Sequence, residues 1–197
     1  MGYTDLKRPN VPRDLFLGNV LGAFSRALCD KMDSAVCSAT GRNTTACYAI
    51  VQIGSEPGSS IEILRRMLGL EHSSVVRLLD RLEKENLVNR VRGTELDQRK
   101  VCVFLTDEGE REFTKILDAR REVLDRVMIR VNDVEKSFLL SLIHKVMPQV
   151  VDCGDDQHIV CRLCDLEKCP QEKCPVNLAY PENMDEVSAP FTRRGGF

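Results

Sequence analysis

The sequence predicts a mainly α-helical fold with one small β-hairpin, and three observations support this prediction. Apolar residues recur at helical spacing through most of the 197-residue chain. The spacing changes to that of strands only at Leu87–Val91 and Val101–Leu105, which flank a polar segment. Aromatic residues make up only 5% of the chain and Trp is absent, so Leu, Val and Ile have to form most of the core.

Composition narrows the classes of protein to which this chain can belong. The formal net charge is −2, so a surface that binds a polyanion must draw its positive charge from a local cluster. No apolar run is long enough to span a bilayer, and residues 1–12 lack the hydrophobic segment of a signal peptide. These features predict a cytoplasmic protein with no membrane partner. In that reducing compartment, the nine cysteines are expected to be thiols or metal ligands rather than disulfides.

Four helices are predicted before the hairpin, from their apolar stripes and from the residues that start or stop them. Pro12 is placed at the start of the first helix, because proline is favoured in a first helical turn. Gly69 is placed at the end of the third helix and Asn86 at the end of the fourth. The predicted helices run from near Pro12 to a break at Thr40–Asn43, over Thr44–Gly54, from a cap at Ser59 or Ser60 to Gly69, and from His72–Ser74 to Asn86.

Two further helices are predicted after the hairpin. Thr106 is the candidate cap of the first, whose apolar face runs from Phe113 to Met128. Asn132 is the candidate cap of the last helix, whose end is weakened by Pro148. Beyond this helix the composition shifts to Cys, Pro, Asp and Glu, and from residue 181 onward disorder is expected.

The order helix, helix, short turn, helix and polar-tipped hairpin is the plan of a winged helix-turn-helix. An ordinary all-α core is the alternative, but the short link at Gly69–Glu71 and the hairpin that follows the fourth helix favour the winged plan. The outer helices carry more apolar surface than one small domain can cover, which predicts dimerisation through the N- and C-terminal helices. The predicted domains are a dimerisation helix (1–43), a winged DNA-binding domain (44–106), C-terminal dimerisation helices (107–151), a cysteine-rich metal-binding tail (152–180) and a disordered end (181–197).

The fourth predicted helix has the composition of a helix that reads DNA. Its apolar residues face inward and leave small polar and basic side chains on the outer face, where they can reach base edges in the major groove. Arg77 is the best candidate for a bidentate contact to guanine, and Arg81 lies on the same face. Ser73 and Ser74 are short enough to hydrogen-bond a base or a phosphate, but helix capping is an equally favoured role for one of them.

The hairpin carries a second group of basic residues, which suit the narrow minor groove of DNA. Acidic residues in the same segment leave a solvated mixed-charge turn as the alternative. Between Arg65 and Lys100, nine basic residues stand against six acidic ones, although the whole chain is negative. The positive charge is therefore concentrated where the winged plan needs it. The predicted DNA contacts of the hairpin are Arg90, Arg92, Arg99 and Lys100.

Two stretches of this region resemble the MarR family of transcriptional regulators. One runs from Ser74 to Val88 and is followed by Arg90, and the other is Asp97-Gln98-Arg99-Lys100 followed by Leu105-Thr106-Asp107-Glu108-Gly109. The resemblance covers roughly residues 15–150 and departs from the family at Asn86, where Gly is usual; Asn tolerates the left-handed conformation. It implies a homodimer, built from the first and the last two helices, that binds a double-stranded DNA operator. It also implies either a pocket for a small aromatic effector or a redox-active thiol near the junction of dimer and DNA.

The tail carries the most specific cysteine pattern in the chain. Cys161-x2-Cys164-x4-Cys169-x4-Cys174 places four thiols in a short segment that cannot bury a core of its own, so a metal could organise it. Zinc is the favoured cofactor, a [4Fe-4S] cluster is the alternative because prolines follow Cys169 and Cys174, and free thiols are the third reading. Cys153 is a candidate extra ligand. Nine acidic residues against three basic ones between Val150 and Glu186 argue against a tail that grips phosphates.

Together these features predict a sequence-specific DNA-binding transcriptional regulator, acting as a repressor, that responds to a small molecule, an oxidant or a metal state. A metal-cluster redox sensor and a protein-interaction module are the alternatives. A metalloenzyme is disfavoured, because four closely spaced thiols leave no open coordination position for a substrate. The chain is therefore predicted not to be an enzyme. Cys29, Cys37 and Cys47 are expected to pack as small apolar residues rather than to act as sensors.

Overall fold

The computed structural model describes residues 12–92, 101–151 and 154–179 of the chain. The predicted wing contacts Arg99 and Lys100, the extra thiol Cys153 and the predicted disordered end 181–197 lie outside these residues. No helix in the described ranges is long and apolar enough to cross a membrane. The elements are α1 (Arg13–Thr40), α2 (Thr44–Ser55), β1 (Ser59–Ser60), α3 (Ile61–Leu68), α4 (His72–Lys84), β2 (Val88–Arg92), β3 (Val101–Leu105), α5 (Asp107–Met128), α6 (Asp133–Val146), α7 (Gly154–Cys161) and α8 (Pro175–Ala179), with short 3-10 helices at Met147–Gln149 and Gln171–Lys173.

Helices α2, α3 and α4 surround one apolar core, and this confirms the helical part of the predicted fold class. The side chain of Asn43, the residue just before α2, caps this helix by accepting a hydrogen bond from the amide of Ala46, at 2.9 Å. Ser60 caps α3 in the same way, by accepting from the amide of Ile63 at 3.2 Å. Gly69 then takes the left-handed conformation, with φ of 60°, and lets the chain turn directly from α3 into α4. The completely buried core residues include Ile50, Val51, Ile53, Leu64, Val75, Leu79 and Leu82.

The hairpin forms as predicted, but it belongs to a three-stranded antiparallel sheet with the order β1-β3-β2. The sequence pattern does not predict β1, because two serines that precede a helix have no strand-like alternation. Ser59 pairs with Val103 and Ser60 with Cys102, which fastens the start of α3 to the wing. Strand β1 therefore fixes the helix-turn-helix relative to the hairpin.

The loop from α4 into β2 and the start of α5 meet at very close range. Asn86 adopts φ of 57°, as expected for an asparagine at this position. The side chain of Thr106 caps α5 by accepting from the amide of Gly109, at 3.1 Å. A Cβ atom on Gly109 would stand 2.1 Å from the carbonyl oxygen of Leu87, so only glycine allows this approach. The packing of α5 against the β2 end gives Gly109 its structural role.

Helices α1, α5 and α6 flank the winged domain and differ in how well they are covered; α1 and α5 add Val36 and Ile116 to its core. The second half of α1 packs against α5 and contains the fully buried Val36. The first half of α1 has exposed apolar side chains, with Phe16 at 62% and Phe24 at 49% exposure. Helix α6 starts with the capping box of Asn132 and Glu135 and has no buried residue. In the single chain, the first half of α1 and helix α6 therefore expose apolar side chains to solvent.

The segment after α6 is more structured than its polar composition indicates. Helix α7 packs against α3, and Leu163 joins the main core with 8% exposure. Arg162 lies over the ring of Tyr48, with its guanidinium carbon 4.5 Å from the ring centre. The tail is therefore attached to the helix-turn-helix and does not extend away from it.

Candidate nucleic-acid interface

The outer face of α4 carries the predicted DNA-reading residues. Ser73, Arg77 and Arg81 follow each other at intervals of four and are all exposed, while Val75, Leu78, Leu79 and Leu82 are buried on the other side. Amphipathic spacing thus turns the polar stripe outward, as in a recognition helix. Lys84 is also exposed and lies three residues beyond Arg81. The predicted DNA contacts do not include Lys84, although helical spacing alone places it beside Arg81 on the outer face.

Ser73 and Ser74 lie within the first turn of α4 and do not cap it. The N-cap position belongs to Glu71, whose side chain makes no capping hydrogen bond. The carbonyl of Ser73 accepts a hydrogen bond from Nε of Arg77 at 3.2 Å, which orients that guanidinium along the helix. Ser73 is exposed and Ser74 half-buried, so Ser73 is better placed for a contact to DNA.

Arg90 occupies a different environment from Arg77 and Arg81. Its guanidinium donates to Asp80 at 2.7 Å and to the carbonyl of Val76 at 3.3 Å, and its Nε lies 3.8 Å from Glu83. With a side chain only 20% exposed, Arg90 holds the wing strand β2 against α4. It also neutralises two carboxylates close to the DNA-reading face. Within the described ranges, Arg77 and Arg81 form no ion pair, so their charges face outward.

The described part of the wing consists of its two strands. Arg92 is exposed at the end of β2, where the chain leaves the sheet. Arg99 and Lys100 belong to residues 93–100, outside the described residues, and their assignment to DNA contact stays a prediction. The pairing of Arg92 with Val101 places the last residue of β2 and the first residue of β3 at the same end of the sheet.

An ion cluster at the other end of α4 fixes this helix relative to α5. Glu112 of α5 is buried, and its carboxylate accepts from Nζ of Lys115 at 2.6 Å and from Nε of Arg42 at 3.4 Å. Arg42 also pairs with Glu85, the residue that ends α4. A buried carboxylate needs such partners to stay charged. Through Arg42, the cluster therefore ties the end of α4 to α5.

Of the three thiols in the first two helices, Cys47 and Cys37 pack with the core as predicted, whereas the prediction that Cys29 packs is wrong, because its position on α1 leaves it exposed. Cys47 is fully buried, and its sulfur lies 3.4 Å from Oγ1 of Thr40. Burial raises the pKa of the Cys47 thiol, and burial followed by the charge of Asp33 raises the pKa of Cys37. A raised pKa leaves little thiolate at neutral pH, which makes both thiols poor nucleophiles.

We expect an alkylating reagent to distinguish these thiols. Native protein treated with iodoacetamide should react at the exposed Cys29 at least about tenfold faster than at Cys47, because Cys47 must become exposed before it can ionise. Mass spectrometry of peptides from samples quenched at successive times measures both rates. Equal rates in the native protein would contradict the packing role of Cys47, and unfolded protein serves as the control in which both must react.

Four tail thiols approach one another at the end of the fold. The hydrogen bond from Cys161 lowers the pKa of the Cys164 thiol to about 6, and the same hydrogen bond, with burial, raises the pKa of Cys161. Cys169 hydrogen-bonds with Cys174, while burial raises the pKa of Cys169 to about 11. As the side chains stand, no three His, Cys, Asp or Glu residues in the described ranges are arranged to hold a metal ion.

A cavity of about 330 Å³ lies between α1 and α5. Ala35, Ala39 and Ala119 form part of its wall, and charged residues that include Lys115 and Arg126 form the rest. Alanine side chains leave room for a small molecule, but the charged wall does not single out an aromatic one. The small aromatic effector therefore stays a prediction.

Comparison with known proteins places this geometry in a family. Residues 45–101 match the model of the MarR family. BilQ of Clostridium symbiosum, an HTH-type transcriptional regulator, is 28% identical over 99 residues, which span 50% of this chain and 68% of BilQ. MdtR of Bacillus subtilis, an HTH-type transcriptional repressor, is 35% identical over 74 residues, which span 38% of this chain and 46% of MdtR. Both relatives are regulators by name, in agreement with the prediction that this chain is not an enzyme.

Solved structures reproduce the fold over most of their own length. A MarR family protein from Bacillus stearothermophilus superimposes with a TM-score of 0.61 at 20% identity, covering 70% of this chain and 95% of that one. YusO from Bacillus subtilis gives a TM-score of 0.58 at 20% identity, covering 70% of this chain and 98% of YusO. Over residues 45–101 the chain is therefore similar in sequence to the MarR family of transcriptional regulators, and its fold is that of MarR family structures.

Proposed function

We propose that the protein is a homodimeric repressor that binds a double-stranded DNA operator with α4 in the major groove. The observation that carries this proposal is the outer face of α4, where Ser73, Arg77 and Arg81 are exposed on a helix whose other face is buried. Arginine forms bidentate hydrogen bonds with guanine, and short hydroxyls reach bases or phosphates. Arg90 supports this geometry because its guanidinium pairs with Asp80 and Glu83 and offsets their negative charge beside the face that approaches the phosphates.

A second copy of the chain is the partner that best fits the exposed helices. Phe16, Val20 and Phe24 form one exposed stripe on α1, and Val134 and Phe138 begin another on α6. Exposed apolar surface of this extent marks an interaction site. A two-fold axis through these helices would place two copies of α4 about one DNA turn apart, roughly 34 Å, so that each reads one half of a palindrome.

Repression is supported by the similarity to MdtR, which is a transcriptional repressor. A bound dimer that covers an operator excludes RNA polymerase without a further contact, so the DNA-binding domain is sufficient for this activity. A reporter gene placed behind the selected operator should therefore be less active in cells that contain the protein. An increase in reporter activity would contradict repression and leave DNA binding intact.

The test of DNA binding uses a duplex enriched from a randomised library by the wild-type protein. We expect Arg77→Ala to weaken binding by about 1–3 kcal/mol, which is about fivefold to 150-fold, and to relax specificity at one base position. Fluorescence anisotropy at two salt concentrations measures the affinity and its salt dependence.

Arg111→Ala is the matched control, because Arg111 is an exposed arginine on α5 that pairs with Glu108. The control should bind like the wild type. Failure to enrich any duplex, or equal binding by wild type and Arg77→Ala, would overturn the assignment of α4 as the reading helix.

A further inference from the structure

The strongest cluster of metal-binding side chains outside the DNA-reading face lies in the tail. Cys161 ends α7, and its carbonyl accepts the amide of Cys164 at 2.8 Å, which forms a tight turn between the two. Cys169 and Cys174 flank the 3-10 helix Gln171–Lys173, and Cys161 and Cys169 both pack against the cluster that contains the buried Cys174. The backbone therefore folds one pair of thiols onto the other, although 13 positions separate the first thiol from the last.

The surroundings of these thiols offer little else to hold the segment together. Cys174 is buried with Val151 and Val176, and the partly buried residues packed on them are Met147, Cys161 and Cys169. Three of these six residues are cysteines, which make a weak hydrophobic core but are soft ligands for a metal ion; Cys164, the fourth thiol, is tied to Cys161 by the backbone turn. Arg120 of α5 brings a positive charge close to Cys164 and Cys169, where four thiolates on one divalent ion would leave a net negative charge.

The number and kind of ligands favour a single zinc ion. Structural zinc sites are closed and tetrahedral, with four protein ligands, and thiolates are ligands that zinc prefers. A [4Fe-4S] cluster is also held by four thiolates, and elemental analysis distinguishes the two groups.

The thiol cluster is connected to the helix-turn-helix by α7. Ile159 lies 3.6 Å from the position of a Cβ on Gly69, the residue that turns the chain from α3 into α4. Arg162 lies between the two thiols of its turn in sequence and stacks on Tyr48, whose hydroxyl donates to Asp33 at 2.6 Å. The residues just before and between the first two thiols therefore contact α2 and the α3–α4 turn.

We propose that Cys161, Cys164, Cys169 and Cys174 bind one zinc ion and that the loaded site holds α7 against the α3–α4 turn. Binding converts four thiols to thiolates and releases their protons to the solvent. No electron is transferred. The zinc site does not depend on the proposed function. Only an effect of zinc on DNA affinity would depend on that function.

Metal content tests the site. Full-length protein purified without oxygen from zinc-supplemented cells should contain one zinc per chain by elemental analysis, and so should the control Cys29→Ser, whose exposed thiol lies in α1. The double variant Cys164→Ser, Cys169→Ser should contain none. Absence of metal in the wild type, iron with acid-labile sulfide, or retained zinc in the double variant would each overturn the proposal.

Hydrogen exchange tests the connection to the helix-turn-helix and does not depend on the variant folding well. Removal of zinc from the wild type by a chelator should increase amide exchange in α7 and α3 by at least tenfold, on the order of 1.4 kcal/mol. Added zinc should restore protection. Unchanged exchange in α3 would overturn the connection. Loss of DNA binding by the zinc-loaded wild type would instead contradict the proposed function, while the zinc count would be unaffected.

Discussion

Replacing Phe16 and Phe138 by aspartate should convert the protein from a dimer to a monomer at micromolar concentration. The side chains are 62% and 73% exposed in the single chain, which is unusual for phenylalanine unless a partner covers it. Each burial contributes about 1.5–3 kcal/mol, and two-fold symmetry counts every substitution twice. The double variant should therefore lose at least about 6 kcal/mol of association energy, or about four orders of magnitude in Kd.

Sedimentation equilibrium measures the association, and circular dichroism checks that the variant remains folded. Val91→Asp provides a matched control, because Val91 is 52% exposed on β2 and outside both apolar helices. The control should stay dimeric. A folded double variant that is still a dimer would place the interface elsewhere. Because a monomer presents only one recognition helix, its affinity for a palindromic operator should fall together with dimerisation.

Gly109→Ala should destabilise the protein by at least about 2 kcal/mol, although alanine is normally favoured over glycine in a helix. The added Cβ would stand 2.1 Å from the carbonyl oxygen of Leu87, which is backbone and cannot rotate away. That carbonyl accepts the amide of Thr106 at 3.0 Å, so a shift would break the hydrogen bond at the start of α5. The loss of packing exceeds the gain of about 1 kcal/mol in helix propensity.

Urea unfolding of dimeric protein at a fixed concentration measures this effect through the transition midpoint. Thr114→Ala is the control, because Thr114 is exposed on α5 and its hydroxyl donates to the carbonyl of Glu110 in the same helix. The control should be neutral or more stable by up to about 1 kcal/mol. Equal shifts for the two variants would show that the contact with Leu87 has no energetic consequence.

Much of the local structure could be predicted from the sequence, because the signals act over a few residues. Asn132 and Thr106 cap their helices through hydrogen bonds to amides three residues away. Asn86 adopts the left-handed conformation expected where one short polar residue ends a helix. The exposed positions of Arg77 and Arg81 likewise follow from the 3.6-residue period of a single helix.

Other features depend on residues far apart in the chain. The strand β1 exists only because Ser59 and Ser60 meet Val103 and Cys102, and two serines have no strand signal of their own. The same reason applies to α7, whose attachment depends on packing against α3 rather than on an apolar stripe of its own. Hydrogen-bond partners from another element decide such structures, and residue spacing does not reveal them.

The sequence by itself determined which residues carry positive charge near the wing, where the helices begin and end, and that four cysteines occur in one short segment. Only the tertiary structure decided how these groups are used. It places Arg90 on Asp80, 10 positions earlier in the chain, and Arg42 on Glu112, 70 positions later. Ion pairs of this kind need both partners to be brought together by packed helices and strands, so the same basic residue type lies outward at Arg77 and inward at Arg90.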